Sequence, residues 1–134
     1  MTQLGKKILI VEDEQSLRVS LQDNFSAEGF EVFAASNGEE GLTLVLEKNP
    51  DIILLDLLMP KMDGRTMLKK LRESPQRKDI PVIVLTVLGV DDPIMHWITQ
   101  YEPTYYLIKS EWHIGQVVEK VKERLGLLPS QQKA

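Results

Sequence analysis

Asp51-Ile52-Ile53-Leu54-Leu55-Asp56-Leu57-Leu58-Met59-Pro60 is a nearly all-apolar run with one carboxylate set inside it. Rich in Ile and Leu and bounded by Pro50 and Pro60, it reads as a strand buried on both faces of a parallel sheet. Asp56 then falls at the strand's C-terminal end. In open α/β sheets ligands gather at that edge, because the strand ends open into a crevice between the following loops. An Asp at a strand end also serves as an ordinary turn or cap residue, so the other strand ends must decide its meaning.

Upstream, Lys7-Ile8-Leu9-Ile10-Val11 is a β-branched run that ends in Glu12-Asp13-Glu14. From Glu14 the spacing turns helical, with Leu17, Leu21 and Phe25 four apart and Gly29 placed to end the helix in a left-handed conformation. Phe30 to Ala35 is extended again. Asn37 and Glu40 then form an Asn-x-x-Glu cap ahead of Leu42, Val45 and Leu46, and Asn49-Pro50 ends that second helix.

Downstream, a third helix starts near Asp63-Gly64, presents Met67, Leu68 and Leu71 to the sheet, and stops at Ser74-Pro75. Ile80-Pro81-Val82-Ile83-Val84-Leu85-Thr86 is the fourth strand, with proline tolerated at its start. Asp92-Pro93 opens a fourth helix with Ile94, Trp97, Ile98 and Tyr101 on one stripe. Thr104 to Lys109 is the fifth strand. Ser110 is a candidate N-cap for a last helix that buries Ile114, Val117, Val118, Val121 and Leu125. Five strands alternating with five helices predict an α/β doubly wound parallel sheet with helices on both faces. Residues 1–127 form that unit, and 128–134 read as a polar C-terminal tail.

With 134 residues the chain has room for one domain and a respectable core. No apolar run is long enough to cross a bilayer, and Met1 to Lys7 carries no signal-peptide cleavage pattern, so a cytoplasmic protein is expected. The absence of Cys excludes disulfides, thiolate metal sites and cysteine nucleophiles. A net charge of −4 argues against direct nucleic-acid binding, which needs a basic face.

The decisive observation is joint. The C-terminal ends of strands one, three, four and five carry Glu12 and Asp13, Asp56, Thr86 and Lys109, and in a parallel sheet these ends share one edge. Each has a bland reading singly: acidic residues favour a helix N-terminus, Thr86 is an ordinary strand residue, and Lys109 is a solvated cation. Their convergence is what those readings leave unexplained. Three crowded carboxylates raise one another's pKa unless a cation lies among them, and oxygen donors without His or Cys suit Mg²⁺. A carboxylate beside Mg²⁺, a lysine and a hydroxyl is a phosphoryl-transfer arrangement, with Asp56 as nucleophile.

At Ile8 to Glu14, Leu54 to Gly64, Pro81 to Thr86 and Tyr106 to Lys109, the sequence resembles the receiver domain of two-component response regulators. The likeness runs from about Lys6 to Leu125. It implies a flavodoxin-like (βα)5 fold in which Asp56 accepts a phosphoryl group from a sensor histidine kinase or phosphotransfer protein. It implies Mg²⁺ held by Asp13, Asp56 and the backbone carbonyl of Leu58, with Glu12 acting through metal-bound water. Thr86 and Lys109 assist, and Thr86 and Tyr106 form a switch that reshapes the face built from the fourth helix, fifth strand and fifth helix. A downstream protein meets that face, through which dimerisation is also open. The resemblance makes the chain a phosphoacceptor that assists its own phosphorylation and dephosphorylation, not an enzyme acting on other substrates.

Four departures from the family's pattern carry expectations. Ser110 replaces the proline that usually follows the lysine, so this loop is either trans or strained, a cis bond before serine costing roughly 3 kcal/mol. Val87 stands where a small residue is common, which predicts partly obstructed access and slower transfer. Leu58 and Leu88 stand where fast-dephosphorylating relatives hold polar side chains, which predicts a long-lived phosphoaspartate. Tyr101-Glu102-Pro103-Thr104 lacks the usual Gly-Ala, so the fourth helix should end differently.

The aromatic residues Trp97, Tyr101, Tyr106 and Trp112, together with His113, cluster on or near the expected output face, although Trp97 and Tyr101 taken singly read as packing onto the sheet; His96 and His113 read as surface residues rather than ligands. Among rivals, a haloacid-dehalogenase phosphatase would need a second Asp where Leu58 stands. A flavodoxin-like or dinucleotide-binding module would want a glycine-rich or hydroxyl-rich loop where Glu12-Asp13-Glu14 would repel phosphate. A degenerate receiver serving as a phosphorylation-independent docking module is the remaining alternative.

Overall fold

The computed structural model describes residues 5–59, 61–89 and 91–127. The expected tail at 128–134, and Pro60 after the third strand, lie outside the described residues. The elements are β1 (Lys7–Val11), α1 (Gln15–Ala27), β2 (Glu31–Ala35), α2 (Gly38–Lys48), β3 (Ile52–Leu55) and α3 (Gly64–Glu73). They continue with β4 (Val82–Thr86), α4 (Pro93–Ile98), a 3-10 turn (Thr99–Tyr101), β5 (Tyr105–Ile108) and α5 (Ile114–Arg124). One parallel sheet runs in the order β2-β1-β3-β4-β5, the doubly wound flavodoxin-like arrangement.

Strand periodicity divides the core into two layers. Leu9, Val11, Ile53, Leu55, Val82 and Val84 pack with Met67, Leu68 and Leu71 of α3 and with Met95 and Ile98 of α4. Ile8, Ile10, Ile52, Leu54, Ile83 and Leu85 pack with Leu21 and Phe25 of α1 and with Val117, Val118 and Val121 of α5. Alternation at every second residue buries both faces, which is why these strands read as continuous apolar runs. Register then sets the site: Val11 pairs with Leu55, Leu55 with Val84, and Thr86 with Ile108, so the residues just past these positions share one edge.

Local chemistry sets the ends of the helices. The Asn37 side chain accepts from Glu40 N at 2.9 Å, as the capping pattern predicts. The reciprocal arm goes one residue further back, with Glu40 Oε1 accepting from Ser36 N at 2.9 Å. Gly29 adopts φ 93 after α1, a left-handed position that glycine takes without penalty. Asn49 leaves the helical region before Pro50 as expected, but into the left-handed region at φ 50 rather than an extended one. Asn tolerates that conformation better than most residues. Ser74 ends α3 in an extended conformation before Pro75.

Several expectations need correction. Ser110 is not the N-cap of α5. Glu111 N bonds to Ile108 O at 2.8 Å, which closes Ile108 to Glu111 into a turn, and the cap position passes to His113. There Gln116 Oε1 accepts from His113 N at 3.1 Å. Leu46 is 61% exposed and belongs to the outer face of α2; Leu44 packs on the core instead. On α4 the most buried residues are Met95 and Ile98, with Ile94, Trp97 and Tyr101 packed around them. The helix tightens at its end into the 3-10 turn, and Glu102 takes φ 51 before Pro103. The aromatic residues do not form one cluster. Trp97 and Tyr101 stack at 4.8 Å and join Tyr106 on the α2/α3/α4 layer, whereas Trp112 packs on the α1/α5 layer.

Candidate functional site

The acidic residues come together at the C-terminal edge. Carboxylate oxygens of Glu12, Asp13 and Asp56 all lie within 4.8 Å of one another. Glu12 and Asp56 are buried and Asp13 is exposed, so the cluster opens to solvent on the Asp13 side. Backbone bonds hold the ends of the strands: Glu12 N donates to Ala35 O at 3.0 Å, and Asp56 N to Val11 O at 2.9 Å.

Lys109 enters from the end of β5. Its Nζ stands 3.0 Å from Glu12 Oε1 and 3.5 Å from Asp56 Oδ2. Thr86 is fully buried, with Oγ1 accepting from Leu88 N at 3.2 Å. Its backbone oxygen accepts from Lys109 N at 2.7 Å, which couples the ends of β4 and β5. Leu58 N donates to Asp56 Oδ1 at 3.3 Å. The Lys109-Ser110 peptide is trans, no described bond being cis. Val87 and Leu58 are exposed apolar side chains just past the ends of β4 and β3. Tyr106 is half-buried. His96 and His113 are exposed, and neither joins the acidic group.

The electrostatics are opposed by design of the fold. Burial, then the Glu12 charge, pushes the Asp56 carboxyl up to about 6, and Lys109 and the Leu58 N–H only partly offset this. For Lys109, burial disfavours the ammonium, but Asp56 first and Glu12 next outweigh it and raise its pKa above the ordinary lysine value. The outcome is a carboxylate that is ionised at neutral pH yet held in unfavourable surroundings, with room for further positive charge.

The loop after β3 depends on a close approach. A Cβ on Gly64 would lie 2.1 Å from Asp56 O, and Gly64 N donates to Leu57 O at 3.0 Å. Asp63 then caps α3, accepting from Thr66 N at 3.0 Å and from Arg65 Nη2 at 2.8 Å. The requirement for glycine here is invisible in composition, although Asp-Gly after a strand marks the turn.

Sequence reasoning did not single out Arg18. From α1 its Nη1 donates to the backbone oxygens of Glu12 at 3.0 Å and Asp13 at 3.3 Å. The available signal was a cation one turn into the helix that follows an acidic strand end.

A 2-1-3-4-5 parallel sheet bearing three carboxylates and a lysine at its C-terminal edge defines a signalling receiver. The chain belongs to the response regulator receiver domain family of two-component signalling, which matches residues 8–122. It is similar to the sporulation initiation phosphotransferase F of Bacillus subtilis, 38% identical over 91 residues, covering 68% of this chain and 72% of that protein. It is also similar to the probable transcriptional regulator ycf27 of Cyanophora paradoxa, 45% identical over 84 residues. That match covers 63% of this chain and 34% of the relative, so the chain spans about a third of the length of that regulator. A solved structure of a putative response regulator from Chloroflexus aurantiacus superposes with a TM-score of 0.79 at 30% identity, covering 90% of this chain and 98% of that one.

Proposed function

We propose that Asp56 is the phosphoacceptor of a Mg²⁺-dependent relay, taking a phosphoryl group from a sensor histidine kinase or a phosphotransfer protein. The observation that carries this is the convergence of Glu12, Asp13, Asp56 and Lys109 at one edge. An Asp56 oxygen attacks phosphorus, the bond from phosphorus to the donor nitrogen breaks, and an acyl phosphate forms. Lys109 passes from the carboxylates to a phosphoryl oxygen. Thr86 accepts from Leu88 N and keeps its own proton free to donate to the phosphoryl group.

The donor set suits Mg²⁺: it consists of hard oxygen ligands, and Asp56 is short of positive charge. Asp13, Asp56 and the Leu58 backbone carbonyl would hold the ion, with Glu12 acting through its water. Bound there, Mg²⁺ supplies charge neutralisation for the carboxylates and for the transferring phosphoryl oxygens.

In this reading Thr86 and Tyr106 form the switch, and the α4-β5-α5 face meets a downstream protein or a second copy. The half-buried Tyr106 ring, packed on the layer that holds α4, supports this. Residues 1–127 act as the receiver unit in the cytoplasm, with 128–134 as a tail. Recognition is by protein contact, without direct nucleic-acid or membrane binding. The reaction is the domain's own phosphorylation and dephosphorylation. Val87 partly obstructs the pocket and slows transfer, and Leu58 and Leu88 slow hydrolysis.

The test is acetyl phosphate with Mg²⁺ or with EDTA, followed by phosphate-affinity electrophoresis and hydroxylamine treatment. A hydroxylamine-labile species formed only with Mg²⁺ and lasting well beyond seconds is expected. Labelling that survives EDTA would overturn the metal's role, and a half-life of seconds would overturn the slow hydrolysis. No labelling, with Mg²⁺ bound, would favour the phosphorylation-independent docking module.

A further inference from the structure

We infer that Arg18 is a positioning residue for the cation site, fixing the loop that presents Glu12 and Asp13. This rests on the reading of the acidic cluster as a Mg²⁺ site.

In the loop between β1 and α1 the Glu12 side chain is held by Lys109 and the Glu14 carboxylate by the Ser16 hydroxyl, but the carbonyls of Glu12 and Asp13 depend on Arg18. Val11 is the last strand residue and Gln15 the first helical one, so Glu12, Asp13 and Glu14 lie outside both ladders. Glu14, at the N-cap of α1, makes no side-chain cap hydrogen bond. Glu12 N is tied to Ala35 O, and Glu14 N donates to Glu12 Oε2 at 3.1 Å. The carbonyls of Glu12 and Asp13 are gripped by a single Arg18 nitrogen at 3.0 and 3.3 Å, and among the described residues neither has another donor. Arg18 is itself fixed, half-buried in the first turn of α1, with its N–H on Glu14 O at 2.9 Å. Holding two successive carbonyls sets the peptide planes on either side of Asp13 Cα. That in turn sets the direction of the exposed Asp13 carboxylate relative to buried Asp56.

Charge and geometry make opposite predictions here. As a charge, the guanidinium repels a dication, so its removal would tighten Mg²⁺ binding. As a brace, it orients the ligands, and loss of such outer partners typically weakens metal binding by roughly 10- to 100-fold. The sign of the change therefore separates the two.

The experiment is calorimetric titration of Mg²⁺ into the unsubstituted protein, Arg18→Gln, Arg18→Lys and Asp13→Asn, with thermal unfolding of each in EDTA. Arg18→Gln should bind Mg²⁺ about tenfold more weakly. Arg18→Lys, which keeps the charge and one donor, should recover part of that loss. Unchanged or tighter binding by Arg18→Gln would overturn the inference, as would weakening that Arg18→Lys does not relieve. If Arg18→Gln does not fold, Arg18→Lys decides alone: binding intermediate between the unsubstituted protein and Asp13→Asn supports the brace, and unaltered binding refutes it. No Mg²⁺ binding by the unsubstituted protein would remove the metal reading together with the inference. Normal binding that Asp13→Asn abolishes, with Arg18→Gln unaffected, would remove the inference alone.

Discussion

Lys109 Nζ lies closer to Glu12 than to Asp56, at 3.0 Å against 3.5 Å. The ammonium therefore serves first as the partner of the buried Glu12 and reaches the proposed nucleophile from there. Lys109→Met leaves two buried carboxylates facing each other without that cation. Removing one partner of a largely buried ion pair costs up to 3–5 kcal/mol; allowing for the partial exposure of Lys109, about 1–3 kcal/mol is expected at pH 7 in EDTA. Urea unfolding measures it, and Mg²⁺ should restore much of the loss.

Asp56→Asn should stabilise the protein. The folded pKa of Asp56, about 6, lies above the ordinary aspartate value of 3.8. This carboxyl's contribution is therefore fully present below about pH 4 and is lost as pH rises through 6. At pH 7 the cost is on the order of 2–3 kcal/mol, which the neutral amide avoids. Unfolding of both proteins in EDTA from pH 4 to 7.5 should show a stability difference that grows from near zero and levels off above about pH 6.5. A difference that shrinks with rising pH would contradict the assigned direction.

Gly64→Ala places a methyl carbon 2.1 Å from Asp56 O, against backbone that cannot yield cheaply. A loss of about 2–4 kcal/mol is expected, as for other overpacked or strained sites. Acetyl phosphate labelling should fall with it, because the displaced backbone carries Asp56. Thermal unfolding with parallel labelling checks both.

Arg72 binds four backbone carbonyls: Tyr101 O at 2.7 Å, Ile80 O and Glu102 O at 2.9 Å, and Lys78 O at 3.0 Å. Burial lowers its pKa, with Glu102 and Asp79 partly offsetting. It ties α3 and the α3-β4 connection to the turn that ends α4. Arg72→Ala should cost about 2–4 kcal/mol, since bonds to a charged donor each contribute about 1.5–3 kcal/mol and some are regained from water. Amide exchange of residues 99–104 should accelerate more than that of β1.

Much of the fold was legible because period and punctuation are local. Alternating apolar faces, Asn37 with Glu40, Gly29, Asp63-Gly64 and Asp92-Pro93 each act within a few residues. The edge that gathers Glu12, Asp13, Asp56 and Lys109 was legible for a global reason: a parallel sheet puts all strand ends on one side. What escaped depends on partners distant in sequence or on competition between equal local options. Arg72 finds two of its four acceptors 29 and 30 residues away. Ser110 can cap a helix, but the Ile108 to Glu111 turn takes it first. Arg18 sits on an amphipathic helix where any cation reads as solvated.

Asp56 is the proposed acceptor of the phosphoryl group. Intact mass after incubation with Mg²⁺ and acetyl phosphate, run beside Asp56→Asn, tests that role most directly. A single phosphoryl-sized gain in the unsubstituted protein and none in the variant is predicted. An equal gain in both would place the modification elsewhere and contradict the account.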